Sequence, residues 1–180
     1  MKRAKRQSKQ KRAGKNGDLL GALMRTRDTW RTWQPRTKNL VRAKNLRAEW
    51  TRQGKIAWYL HPLLKEYSVR NLLIFSQEIP PGSRSGKQKH PGGLCHYILE
   101  GKGHTVVDGE SHEWEAGDAV VLPIRPNGIT YQHFNSSPTS PVRFIAGMPN
   151  WTDALGVDLG SRWEQLEDAP EYGSRKSRAS

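Results

Sequence analysis

Residues 82–135 read GSRSGKQKHPGGLCHYILEGKGHTVVDGESHEWEAGDAVVLPIRPNGITYQHFN, and this stretch decides the fold. Leu94 to Leu99 is an apolar run closed by Glu100-Gly101-Lys102-Gly103. Thr105 to Val107 is β-branched and stops at Asp108-Gly109, a two-residue hairpin signal. Ser111 to Trp114 ends at Ala116-Gly117-Asp118, and Ala119 to Leu122 stops at Pro123. Ile129 to Asn135 and Val142 to Ala146 follow, and upstream Val69 to Ile79 leads in before Pro80-Pro81-Gly82. Short strands, tight turns and no long helical period between them predict a mainly β fold, an antiparallel barrel or sandwich.

Outward from this block the composition changes. A chain of 180 residues is expected to be one domain with chain enough to bury a core. Its net charge of +13 resembles a nucleic-acid signal until the charges are placed. Residues 1–55 hold eighteen Lys and Arg against three acids, +15, whereas residues 56–180 hold twelve against fourteen, −2. The basicity belongs to the N-terminal third. No run approaches the length that spans a membrane, and Leu19 to Met24 is too short for a secretory signal, so the chain reads as cytoplasmic. A lone Cys95 excludes an internal disulfide and fits a reducing compartment. Lying in a strand, it is expected as a small buried apolar residue.

Four segments are expected. Residues 1–17 form a disordered basic tail, because MKRAKRQSKQKRAGK has no acid and no large apolar residue after Met1. Residues 18–66 form a helical arm. Leu19, Leu20, Leu23, Trp30 and Trp33 recur near a helical face, Pro35 breaks it, and Leu40 to Trp50 suggests a second amphipathic helix. Residues 67–148 form the barrel. Residues 149–180 form an extension with a short helix starting at Asn150 and Asp153, with Trp163 and Leu166 tucked back and a frayed tail from Gly173. Trp30, Trp33, Trp50 and Trp58 interleave with cations, a pattern that can stack on bases, but Trp at helical spacing is usually packed core. Contact between the basic arm and nucleic acid therefore ranks lowest among the partner readings.

The central block also resembles the cupin family. That family's first motif runs Gly, five residues, His-x-His, a Glu four or five positions on, and a Gly at the next turn. Here Gly82 precedes Gln88 by six, His90 follows, and Gly101 closes the strand. The second motif is matched in register by Gly117, Pro123, Pro126, Gly128 and Asn135. The resemblance covers about a third of the chain and implies a single antiparallel jelly-roll barrel behind a basic, partly helical arm. The Tyr97-Ile-Leu-Glu-Gly and His-x-Phe-Asn wording is similar to the gentisate dioxygenase-like branch, which holds iron with histidines alone. The ligand positions depart from the pattern: Gln88 replaces the first His, Leu94 or Cys95 the Glu, and Tyr131 the second motif's His. His90 alone keeps a family ligand position.

Strand alternation sets which side chains can meet. Gln88 and His90 share a face, as do Leu94, His96 and Ile98, and as do Tyr131 and His133. In the cupin register these sets point inward, and His90, His96 and His133 form a candidate metal set beside Gln88 and Tyr131. Two readings follow. One is a metal-dependent dioxygenase for a small aromatic or hydroxy acid, with Fe(II) or another divalent transition metal as cofactor and Arg125 or Arg143 holding a substrate carboxylate. The other is a cupin without catalysis and without a cofactor, binding a small molecule or serving as an accessory subunit. His104 and His112 are expected on the outer edge. By the same resemblance the chain is expected to be a homo-oligomer with a small-molecule ligand and no membrane.

Overall fold

The computed structural model describes residues 18–33, 37–64, 66–67, 69–152 and 163–176. The expected basic tail, the Asp153 position and residues 177–180 lie outside them. Two compact units are present, Met1–Thr37 and Lys38–Ser180. Among the described residues the first contains one helix, α1 (Leu19–Trp33), as the Leu spacing predicts.

The second unit is two antiparallel sheets. Its strands are β1 (Ala48–Thr51), β2 (Gly54–Leu60), β3 (Leu72–Ile79), β4 (Lys87–His90), β5 (Leu94–Glu100) and β6 (Lys102–Val107). β7 (Glu110–Glu115), β8 (Ala119–Leu122), β9 (Ile129–Asn135), β10 (Val142–Pro149) and β11 (Glu164–Glu167) follow, and then helix α2 (Pro170–Lys176). One sheet runs β1-β2-β3-β10-β5-β8 and the other β11-β4-β9-β6-β7. Turn chemistry explains the connections. Asp108 (φ 49) and Gly109 (φ 97) are both left-handed, as a two-residue hairpin matched to strand twist requires. They join Val107 to its partner Glu110.

Alternation places the core. Along β5, Leu94, His96 and Ile98 are buried while Cys95, Tyr97 and Leu99 are exposed. One cluster gathers Leu73, Phe75, Leu94, Leu122, Ile129 and Tyr131, and a second holds Ile79, Ile98, Trp114, Val142 and Phe144.

Several expectations are corrected. The second helix expected over Leu40 to Trp50 is a single 3-10 turn, Ala43–Asn45, followed by β1. β1 and β2 form a hairpin that extends the sheet from β3, and Trp58 packs on Phe75 at a ring separation of 5.0 Å. Pairing with an existing strand outweighs the weak helical propensity of this segment. Cys95 is exposed, because it alternates with the buried Leu94 and His96. The tail expected to fray from Gly173 is helical to Lys176. β11, which precedes it, had no sequence signal. Trp163 and Leu166 keep considerable exposure, and Gln165 between them is the residue that turns towards the barrel.

Candidate functional site

Five interior polar residues come from three strands. β4 contributes Gln88 and His90, β9 contributes Tyr131 and His133, and β5 contributes His96 from the opposite sheet; all five are buried. Gln88 sits directly across from Tyr131 in the β4–β9 register, and His90 across from Ile129.

The two altered family positions are bonded to each other. Tyr131 Oη donates to Gln88 Oε1 at 2.6 Å, and Gln88 Nε2 donates to Gln165 Oε1 at 2.8 Å. Gln165 Nε2 in turn donates to Gln53 Oε1 at 3.0 Å and to the Glu167 carbonyl at 2.8 Å. Burial raises the Tyr131 phenol above its ordinary range, so it stays a neutral donor.

The histidines divide. His96 and His133 lie edge to face with ring centroids 4.5 Å apart, and Phe144 and Tyr131 pack around them. In the β4–β9 register His90 lies opposite Ile129, four residues from His133 along β9, with Trp163 edge-on at 5.2 Å. The structure therefore brings together two of the three imidazoles predicted to share a metal. Among the described residues no group of three His, Cys, Asp or Glu side chains is placed to hold a metal ion.

Hydrogen bonding assigns one ring proton. Gly92 N–H donates to His90 Nδ1 at 3.0 Å, so the neutral ring carries its proton on Nε2. Gly92 makes this bond from a left-handed backbone (φ 100), and a Cβ there would meet the Pro123 carbonyl oxygen at 2.0 Å. On His133, Nδ1 lies 2.7 Å from Thr105 Oγ1, which already accepts Trp114 Nε1–H at 2.8 Å. Thr105 Oγ1 keeps a second lone pair, so it can donate to His133 Nδ1 or accept from it, and either tautomer of His133 satisfies the contact. His90 thus presents an N–H group where a metal needs a lone pair. Among the described residues, His90 Nε2, His96 Nδ1 and His133 Nε2 are buried with no hydrogen-bond partner.

Burial keeps all three rings neutral near pH 7. It lowers His90 to about 4 and His133 to about 3, and it holds His96 well below its ordinary value, with repulsion from His133 and His90 adding to the burial.

Arg125 and Arg143, expected to meet a carboxylate in the barrel, are on the outside. Arg125 Nη1 pairs with Asp108 Oδ2 at 2.6 Å, and Arg143 pairs with Glu100; both side chains are exposed. Arg143 lies between buried Val142 and Phe144, so alternation turns it outward. His112 is exposed, as expected; His104 is half-buried, stacked on Phe134 at 4.7 Å. Two surface hollows, of about 430 and 590 Å³, lie away from this interior: neither is lined by His90, His96 or His133. Sequence reasoning missed Gln165, Thr105 and Trp114. Thr105 and Trp114 were legible as inward positions on β6 and β7, but their bond to His133 was not.

The cupin domain family matches residues 75–147, which carry Gln88, His90, His96, Thr105, Trp114, Tyr131 and His133. The matched residues form a cupin domain. The polyketide cyclase RemF from Streptomyces resistomycificus superposes on 78% of this chain and 94% of its own, with TM-score 0.55 and 15% identity. A cupin-like protein from Thermotoga maritima covers 77% of this chain and 92% of its own at 20% identity, TM-score 0.48. A predicted oxalate decarboxylase from the same organism covers 61% and 97% at 24% identity, TM-score 0.49. A search of the curated proteins found no match. At these identities the likeness is one of fold. Among the described residues no helix is long and apolar enough to cross a membrane.

Proposed function

We propose that this cupin barrel binds a small polar molecule directly, without a metal. The observation that carries the reading is the Tyr131–Gln88 hydrogen bond, which satisfies the family's two altered ligand positions with each other. The residues present do not fit the three-imidazole centre of the dioxygenase reading. His90 holds its Nε2 proton, Tyr131 stays a phenol, and in the β4–β9 register His90 lies opposite Ile129, four residues from His133 along β9.

Three buried ring nitrogens without partners support a ligand. More than nine in ten buried polar groups in native interiors are paired, and an unpaired one costs about 1–3 kcal/mol. A small molecule with acceptor atoms would take the Nε2–H of His90, and His96 and His133, whose tautomers the network does not set, can donate or accept.

The test combines elemental analysis of the full-length chain with thermal-shift titration against small organic acids, amides and phenols. The expected result is substoichiometric transition metal, together with stabilisation by at least one compound that weakens in His90→Ala or His133→Ala. Stoichiometric metal lost in His96→Ala would overturn the metal-free reading. Indifference to every compound in both the wild type and the two variants would overturn the ligand.

A further inference from the structure

The hollow of about 590 Å³ outside the barrel interior has Leu46, Leu63, Leu64 and Tyr67 in its wall. Leu63 and Leu64 are 78% and 37% exposed, so apolar surface is left to water here. A concave, mostly apolar wall with a few fixed polar groups is the usual form of a small-ligand site.

Two charged groups interrupt this wall. Arg47 directly precedes β1, and Glu49 lies within it. Trp58, on the neighbouring strand β2, donates Nε1–H to Glu49 Oε1 at 2.7 Å. Its ring is backed by Phe75 and His61, at separations of 5.0 and 4.8 Å. Glu49 is thus held in place, yet no cation pairs with it among the described residues, and none of their side chains pairs with Arg47. Glu66, the other carboxylate of the wall, is met by Lys38 Nζ at 2.6 Å. What remains is one anion and one cation, each without an opposite charge, beside the same apolar surface.

Their spacing narrows the ligand. Leu46 is extended (φ −74, ψ 139), and β1 continues from Ala48. Arg47 and Glu49 are therefore two steps along an extended chain, roughly 7 Å apart. A free amino acid carries both charges on one carbon and does not span this, whereas an extended dipeptide is about 7 Å long. A nucleic acid would bring its phosphates against Glu49 and Glu66.

We infer that this hollow binds a short apolar peptide with free ends, about a dipeptide in length. Its ammonium sits on Glu49, its carboxylate on the Arg47 guanidinium, and its side chains lie against Leu46, Leu63, Leu64 and Tyr67. The barrel interior takes no part.

Nuclear magnetic resonance titration of the full-length chain tests it, read at the Trp58 indole N–H, which Trp58→Phe assigns; circular dichroism confirms that each variant is folded. The probe is leucyl-leucine, with its N-acetyl and C-amide forms each lacking one charge. Leucyl-leucine is expected to shift the Trp58 signal saturably, and each blocked form to bind about fivefold more weakly. Glu49→Gln keeps an acceptor for Trp58 but removes the charge, so this variant is expected to bind the free and N-acetylated forms alike. Arg47→Gln is expected to abolish the preference over the amide in the same way. A Trp58 signal that leucyl-leucine does not move overturns the proposal, as does a wild type that binds the blocked forms equally tightly. A preference that survives in both variants overturns it too. So does a response kept in Glu49→Gln and lost in His90→Ala, which puts the peptide in the barrel.

Discussion

The six-stranded sheet faces the interior with Leu73, Phe75, Leu94, Ile98, Phe144 and Met148, whereas the five-stranded sheet faces it with Gln88, His90, Thr105, Tyr131 and His133. Both walls obey the same period of two, and both are buried. Their energetics differ. The first wall needs only complementary shape, because its apolar side chains gain by leaving water whatever their neighbours. The second needs a specific partner for each polar atom, and where β4, β9 and β11 supply one the network closes. Where they do not, at His90 Nε2 and His133 Nε2, the buried nitrogen has no hydrogen-bond partner among the described residues. His96 is the one imidazole that the apolar wall contributes, and it meets His133 across the interior.

Acid gives the largest expected contrast between the walls. His90 and His133 have folded-state values near 4 and 3, below the ordinary 6.5, so below pH 6.5 the unfolded chain binds the extra protons. Stability is therefore complete above pH 6.5 and falls as pH drops, by on the order of 3 kcal/mol for each ring at pH 4. Urea unfolding at a series of pH values measures this, and a midpoint unchanged from pH 7 to pH 4 would break the picture of a neutral polar wall.

Phe144→Ala tests the apolar wall, and it also removes the ring packed on His96 and His133. The expected loss is about 3–5 kcal/mol by denaturant unfolding, with little dependence on pH between 7 and 9.

Tyr131→Phe is expected to cost about 1–3 kcal/mol, because Gln88 Oε1 loses its donor inside the protein. Gln88→Leu combined with Tyr131→Phe should cost less than the sum of the two single changes, since no half of the pair is then left behind. Strict additivity in that double-mutant cycle would show the 2.6 Å contact to be energetically idle.

The smallest effect is expected at the ion pair once assigned to substrate. Arg125→Ala removes an exposed contact to Asp108 and should shift stability by less than about 1 kcal/mol, with no change in small-molecule stabilisation. A larger loss of ligand response would return Arg125 to the site.

Much of the barrel was legible because turns and alternation are local. Asp108-Gly109 has the chemistry of a tight hairpin, and the inward sets Gln88/His90, Leu94/His96/Ile98 and Tyr131/His133 follow from strand period. The outward turn of Arg143 was legible by the same rule, from its place between Val142 and Phe144. The β1–β2 hairpin was hidden, since its residues suit a helix about as well and only β3 beside them settles the choice. β11 was hidden for the same reason: nothing in Glu164–Glu167 announces a strand until β4 is there to pair with it.

By itself the sequence determined which side chains a barrel would turn inward, since that depends only on the two-residue repeat of an extended chain. Tertiary structure alone decided what each of them bonds. Gln88 and Tyr131 are 43 residues apart, Gln88 and Gln165 are 77 apart, and Thr105 and His133 are 28 apart. A hydrogen bond is a matter of tenths of an ångström and of where one proton sits, which strand register and a neighbouring sheet impose and which no local pattern encodes.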